Sequence, residues 1–259
     1  MPNKIDNCFA RLRGDKRKGF IPYICAGDPT LNDTVDLALA LEKAGADAIE
    51  LGLPFSDPLA DGIVNQLAAQ RALTAGATTR GVLDCVRQIR ARSTIPIVLY
   101  TYLNPIFQFG MEKFHREAEA AGVDGLLILD LPPEEDVDLA KGGPIHIRLV
   151  APTTPPQRIQ IIAKNARGFL YYVSREGVTG ARETVSASLA DQLKQLRKFS
   201  ELPIAVGFGI SNPEQAREVA RHADAVVVGS AIVDLIARHG KQSVEHVGAF
   251  ARELVAAIR

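Results

Sequence analysis

AGADAIELGLPFSDPLADG, residues 44–62, ends a helix, runs through a short strand and leaves it by a loop rich in proline and acid. Its first eight residues decide the fold, because the same joint returns twice: AGVDGLLI at 121–128 and HADAVVVG at 222–229. The first two copies place a glycine where a helix C-cap is expected, with an aspartate one step before the strand. The third copy keeps only the aspartate.

Working outward from these joints, apolar runs predict strands at 19–25, 47–51, 95–100, 125–129, 145–150, 168–173, 204–206 and 225–228. They are apolar throughout, as expected of parallel strands covered on both faces. Helical patterns fall between them at 30–44, 64–74, 79–92, 111–121, 134–139, 156–164, 185–199, 213–221 and 244–258. Ile5, Phe9 and Leu12 recur at helical spacing, which adds an N-terminal helix over 2–13. Eight β/α units in 259 residues predict a (β/α)8 TIM barrel occupying 1–259 as a single domain. A doubly wound open sheet is the alternative, but it usually has fewer strands, and no GxGxxG follows the first strand.

Lys plus Arg and Asp plus Glu both number 30, so no basic excess points to nucleic acid. Any anionic ligand is then held locally. The basic run RGDKRKG at 13–19 reads as solvated surface. Cys8, Cys25 and Cys85 form no CxxC pair, and the histidines show no metal-binding spacing. A reducing compartment, the cytoplasm, is expected, with neither a disulfide framework nor a metal site. The N-terminal residues lack the apolar core of a signal peptide, and no apolar run approaches membrane-spanning length.

Glu50 interrupts the apolar second strand at its C-terminal end, and Asp61 follows in the next loop. In a barrel of this kind the strand C-termini carry the active site, so both carboxylates belong to one rim. One acid on a rigid strand and one on a loop suit acid/base chemistry. The bland alternative is that Glu50 caps local backbone and Asp61 caps the helix starting near Ile63. Glycine clusters follow three later strands: Gly177-Val178-Thr179-Gly180, Gly207-Phe208-Gly209-Ile210-Ser211 and Gly229-Ser230-Ala231-Ile232, the last able to open a short helix. Backbone N–H groups in such loops, with a helix N-terminus, bind phosphate without lysine. Tyr23, Tyr100, Tyr102, Tyr171, Tyr172 and Phe208 lie near strand ends. Tyr23, Tyr171 and Phe208 are the ones expected to face a flat aromatic ligand rather than the core.

The motifs PYICAGDPT, AGADAIELGLPFSDPLADG, YLNPIF, DLPPEE, LVAPTT, SREGVTGAR, VGFGIS and VVVGSAIV follow one another along the chain. Together they resemble the successive signatures of the tryptophan synthase α subunit family. The resemblance spans essentially the whole chain, and ELGxPFSDPxADG is its most specific element. It implies a lyase that cleaves indole-3-glycerol phosphate to indole and D-glyceraldehyde 3-phosphate by a retro-aldol step, without metal or organic cofactor. By the same resemblance the catalytic pair is Glu50 and Asp61. The ring-orienting tyrosine is Tyr171, and Tyr23, Tyr100, Leu127, Leu129, Leu149, Thr179 and Phe208 complete the substrate pocket. The phosphate contacts are Gly180, Gly209, Gly229 and Ser230. The loops at 54–62 and 174–183 would close over substrate. A β subunit carrying pyridoxal phosphate would meet the rim at Pro54, Phe55, Asp57, Asn104 and Pro132, forming an αββα complex.

Two features depart from the family pattern. Ile63 follows ADG where proline is usual, and residues 136–144 are several short of the usual helix after the fourth strand. Three other functions compete with the α-subunit role. A stand-alone indole-releasing lyase would share every catalytic residue and lack the partner. A non-catalytic allosteric barrel would have no use for Glu50, Asp61 and the glycine clusters. Another phosphate-binding barrel enzyme would need a different acid/base set.

Overall fold

The computed structural model describes residues 3–135, 143–174, 182–207 and 209–259. Strands β1 (Gly19–Cys25), β2 (Ile49–Gly52), β3 (Ile97–Thr101), β4 (Gly125–Ile128), β5 (Ile145–His146), β6 (Arg148–Val150), β7 (Leu170–Val173), β8 (Ile204–Gly207) and β9 (Ala225–Val228) form one sheet. Every pairing is parallel, and β1 pairs with both β2 and β9. The predicted strand at 145–150 is the seam. Its first half, β5, pairs with β4, and its second half, β6, pairs with β7. One stretch of chain thus serves both ends of the sheet, which closes it into the expected (β/α)8 barrel.

The recurring joint has a physical basis. Asp47, Asp124 and Asp224 each turn a carboxylate onto an N–H in the first two residues of a neighbouring strand: Phe20 at 3.1 Å, Ile97 at 2.9 Å and Ile204 at 2.8 Å. An arginine neutralises each one: Arg11 and Arg17 on Asp47, Arg90 on Asp124, and Arg197 on Asp224. The three aspartates therefore satisfy strand-start donors at the N-terminal end of the barrel, where a lone buried N–H would be costly. The glycines before two of them, Gly45 and Gly122, end their helices at φ 109° and 92°, a conformation that side chains resist.

The helices are α1 (Lys4–Gly14), α2 (Leu31–Ala44), α3 (Ile63–Thr74), α4 (Thr79–Arg90), α5 (Leu103–Phe109), α6 (Met111–Ala121), α7 (Pro156–Lys164), α8 (Arg182–Leu196), α9 (Pro213–Ala220), α10 (Ser230–His239) and α11 (Ser243–Ile258). Helix α5 was not predicted, and α10 is a ten-residue helix rather than a short one. Only a single 3-10 turn, Pro133–Glu135, stands at the start of the helix expected at 134–139; the remainder falls outside the described residues.

Two apolar layers result. The outer one joins strands to surrounding helices through Leu41, Ile49, Leu51, Leu99 and Val226 among many others. The inner one fills the barrel with alternate residues: Ile21, Ala48, Val98, Leu127, Ile147, Phe169, Ala205 and Val227. Helix α1 seals this interior from below with Ile5, Cys8, Phe9 and Leu12. The Phe9 and Phe169 rings lie 5.4 Å apart. The same inward alternation continues one layer higher, to Glu50 on β2 and Tyr171 on β7, where the packed core gives way to a cavity.

Candidate active site

A cavity of about 460 Å³ opens at the C-terminal ends of the strands. Glu50 and Asp61 both line it, so the structure brings the two predicted acids together. Of the predicted substrate pocket, Tyr23, Tyr100, Leu129, Leu149 and Tyr171 also line it, as do Gly209, Gly229 and Ser230 of the predicted phosphate site. Leu127 does not. It lies one layer below, 1% exposed, in the interior cluster that α1 seals. Thr179, Gly180 and Phe208 lie outside the described residues.

Glu50 is 2% exposed on the rigid strand β2. Burial, with the nearby Asp61 charge adding to it, pushes its carboxyl up to about 8. Near neutral pH it is therefore largely protonated and can donate. Asp61 is built differently. It sits in the loop between β2 and α3, and both of its oxygens accept from phenols: Tyr100 to Oδ1 at 2.8 Å and Tyr102 to Oδ2 at 2.7 Å. Gln66 of α3 donates to the Asp61 carbonyl at 2.8 Å, and the Ala60 N–H donates to the Tyr102 hydroxyl at 2.9 Å. The loop carboxylate is thus tied to the end of β3 and to the first turns of α3.

Tyr102 was not singled out from the sequence as part of the site. Strand alternation carries the signal, since Val98, Tyr100 and Tyr102 follow a spacing of two and so share the inward face. Two glycines matter here for a reason other than phosphate binding. A Cβ at Gly52 would stand 2.4 Å from the Tyr23 hydroxyl, and one at Gly207 would stand 2.4 Å from the Tyr171 hydroxyl. Each glycine leaves the space that lets a pocket tyrosine lie across the neighbouring strand.

Across the cavity, Gly209 holds φ +77° after β8, and Gly229 caps the N-terminus of α10. A Cβ at Gly229 would meet nothing closer than 3.5 Å. Packing within the protein does not require glycine there, whereas close backbone approach by a ligand does. Gly229, Ser230 and Ala231, at the N-terminus of α10, line this end of the cavity, and a helix N-terminus is suited to phosphate.

On the predicted partner face, Asp57 and Asn104 are exposed and Pro132 is half-buried. Phe55 is half-buried against Tyr102, with ring centroids 5.5 Å apart. Pro54 is buried. It follows directly on β2, where Leu53 still bonds to the Tyr100 carbonyl at 2.9 Å. Around these positions Leu59, Ile63 and Phe107 are 91%, 66% and 64% exposed. Among the described residues no group of three or more His, Cys, Asp or Glu could hold a metal, and no helix is long and apolar enough to cross a membrane.

Comparison with known proteins gives a single answer. The family described as "Tryptophan synthase alpha chain" matches residues 9–259. The tryptophan synthase alpha chain of Opitutus terrae is 50% identical over 238 residues, covering 90% of each chain. That of Geotalea daltonii is 50% identical over 234 residues, covering 89% of each. The crystal structure of the Legionella pneumophila α subunit superposes with a TM-score of 0.92 at 40% identity, covering 100% of this chain and 99% of that one. A barrel rim bearing one buried and one phenol-held carboxylate, with such likeness along nearly the whole length, places this chain in the tryptophan synthase alpha chain family.

Proposed function

We propose that Glu50 and Asp61 are the acid/base pair with which this chain, a lyase of tryptophan biosynthesis, cleaves indole-3-glycerol phosphate. The observation that carries this is the different setting of two carboxyls on one cavity: Glu50 buried and held up to about 8, Asp61 on a loop and held by two phenols. A buried acid that keeps its proton beside an acceptor held by two donors can divide acid and acceptor duties.

The chemistry needs both. A proton must reach indole C3, which loads positive charge onto the ring nitrogen. Asp61 accepts from the ring N–H and stabilises that charge. Glu50 delivers the C3 proton and takes the proton of the hydroxyl on the adjoining side-chain carbon. That carbon leaves as the aldehyde of glyceraldehyde 3-phosphate while the C3 bond electrons return to indole. One proton goes in and one comes out, so the enzyme ends as it began. Tyr171, Tyr23, Leu129 and Leu149 give the ring apolar walls, and Gly209, Gly229 and Ser230 supply backbone and hydroxyl donors to the phosphate. A cavity of about 460 Å³ suits a bicyclic aromatic with a three-carbon phosphate tail.

We further propose that the chain works as one domain in the cytoplasm, docked to a β subunit in an αββα complex. The three free cysteines support a reducing compartment. The exposed Leu59, Ile63 and Phe107 beside Asp57 and Asn104 support docking at this rim. The test is indole release from indole-3-glycerol phosphate by the purified chain, alone and with a tryptophan synthase β subunit. Slow release that rises with β is expected. Fast release indifferent to β removes the partner, and no release in either case overturns the reaction.

A further inference from the structure

Asp61 has to accept from the substrate while sitting on a loop that leaves Leu59 91% exposed two residues earlier. Such a carboxylate needs something rigid to hold it. We infer that Tyr100 is that positioning residue, braced from the barrel wall through Tyr23 and Gly52, and that its hydroxyl holds Asp61 ready for the ring N–H. This rests on the functional reading above and assigns Tyr100 a role beyond lining the pocket.

The brace can be followed atom by atom. Gly52 ends β2 without a side chain, and the Tyr23 phenol fills the space a Cβ there would take, 2.4 Å from that position. The Tyr23 ring is buried and meets Tyr100 edge to face, with centroids 5.2 Å apart and planes at 71°. Such a contact supports the Tyr100 ring from the Tyr23 side. Tyr100, on β3, then donates to Asp61 Oδ1 at 2.8 Å. Tyr102 takes the other oxygen at 2.7 Å, so the carboxylate plane is held at both ends rather than hinged on one bond. An ionised carboxylate offers about four lone-pair directions. Two phenols and the long 3.5 Å contact from Asn65 leave one for an indole N–H. The donors therefore hold the acceptor in place without filling it.

Tyr100→Phe removes only the hydroxyl and keeps the ring against Tyr23. One hydrogen bond to a charged group corresponds to roughly a tenfold change in rate. The expected result is therefore a kcat for indole release about tenfold lower with KM unchanged. The decisive measurement is the double variant. In an Asp61→Asn background, Tyr100→Phe should cause no further loss of kcat, because the group it positions is gone. Wild-type kcat in Tyr100→Phe, with Asp61→Asn impaired, overturns the inference and leaves the acid/base reading standing. An equal loss in both backgrounds overturns it as well, since Tyr100 would then act independently of Asp61. Failure of the unsubstituted chain to cleave, with and without β, overturns both.

Discussion

Glu50 sits where solvent is scarce, and that has two measurable sides. Glu50→Gln keeps the shape and removes the transferable proton, so indole release should fall by at least about a thousandfold with the fold intact, as circular dichroism would show. The wild-type rate should also decline as pH rises through about 8, where Glu50 gives up its proton. Stability follows the same titration. The unfolded carboxyl ionises near 4.5 and the folded one near 8, so between those values the folded state binds the extra proton and loses stability as pH rises. At pH 9 the glutamine variant should therefore melt higher than wild type, while near pH 4 the two should converge. Gly209 makes the opposite kind of demand. Its φ of +77° resists any side chain, and its backbone lines the cavity. Gly209→Val should weaken binding of a glycerol phosphate analogue at least about tenfold by calorimetry, through strain and blocked approach. That both acids and Gly209 would lie on one rim was legible in the sequence, because residue type and strand-end position signal it. Tyr102 was less so: its importance lies in pointing at Asp61, which depends on where the loop returns.

At the scale of the element, α3 is the support behind Asp61, and it is held in an unusual way. Its buried face is made of Ala68, Ala69 and Ala72, which offer little apolar area. The compensating contact is a two-bonded ion pair, with Arg71 Nε on Asp28 Oδ1 at 2.9 Å and Nη2 on Oδ2 at 2.7 Å. Asp28 is 2% exposed in the turn after β1, so removing its partner strands a buried carboxylate. Arg71→Met should cost about 3 kcal/mol in urea unfolding, and Arg71→Lys should restore only part of it, lacking the forked geometry. Helices and strands were mostly legible because burial on both faces writes long apolar runs. Helix α5 was hidden by Pro105, which reads as a breaker although it falls in the first turn, where the missing N–H costs nothing. The strand at 145–150 read as one element because its division is set by which neighbour each half meets, a fact of closure rather than of local sequence.

For the whole molecule, acid is the condition that tests the assembly. His115 on α6 and His146 on β5 stack with centroids 5.3 Å apart, and burial holds both imidazoles down to about 4. An unfolded histidine takes its proton near 6.5. From about 6.5 down to 4 the unfolded chain binds protons that the folded one refuses, so stability drains away as pH falls through that window. His115→Phe should flatten this slope, read as denaturation midpoints measured from pH 7 to 4.5. The barrel itself was legible from the thrice-repeated joint, since each Asp answers the same need at the same end of the sheet. What remained illegible was the shape of the cavity, which depends on small residues such as Gly52 and Gly207 making way for large ones.

The helix that seals the barrel from below has a consequence for traffic. With Ile5, Phe9 and Leu12 wedged beneath Phe169 and Val227, the vessel is a cul-de-sac. Among the described residues the packed floor leaves the strand C-termini as the way out, beside the loop that carries Asp61. A second enzyme that wanted the freed product undiluted would have one doorstep on which to wait.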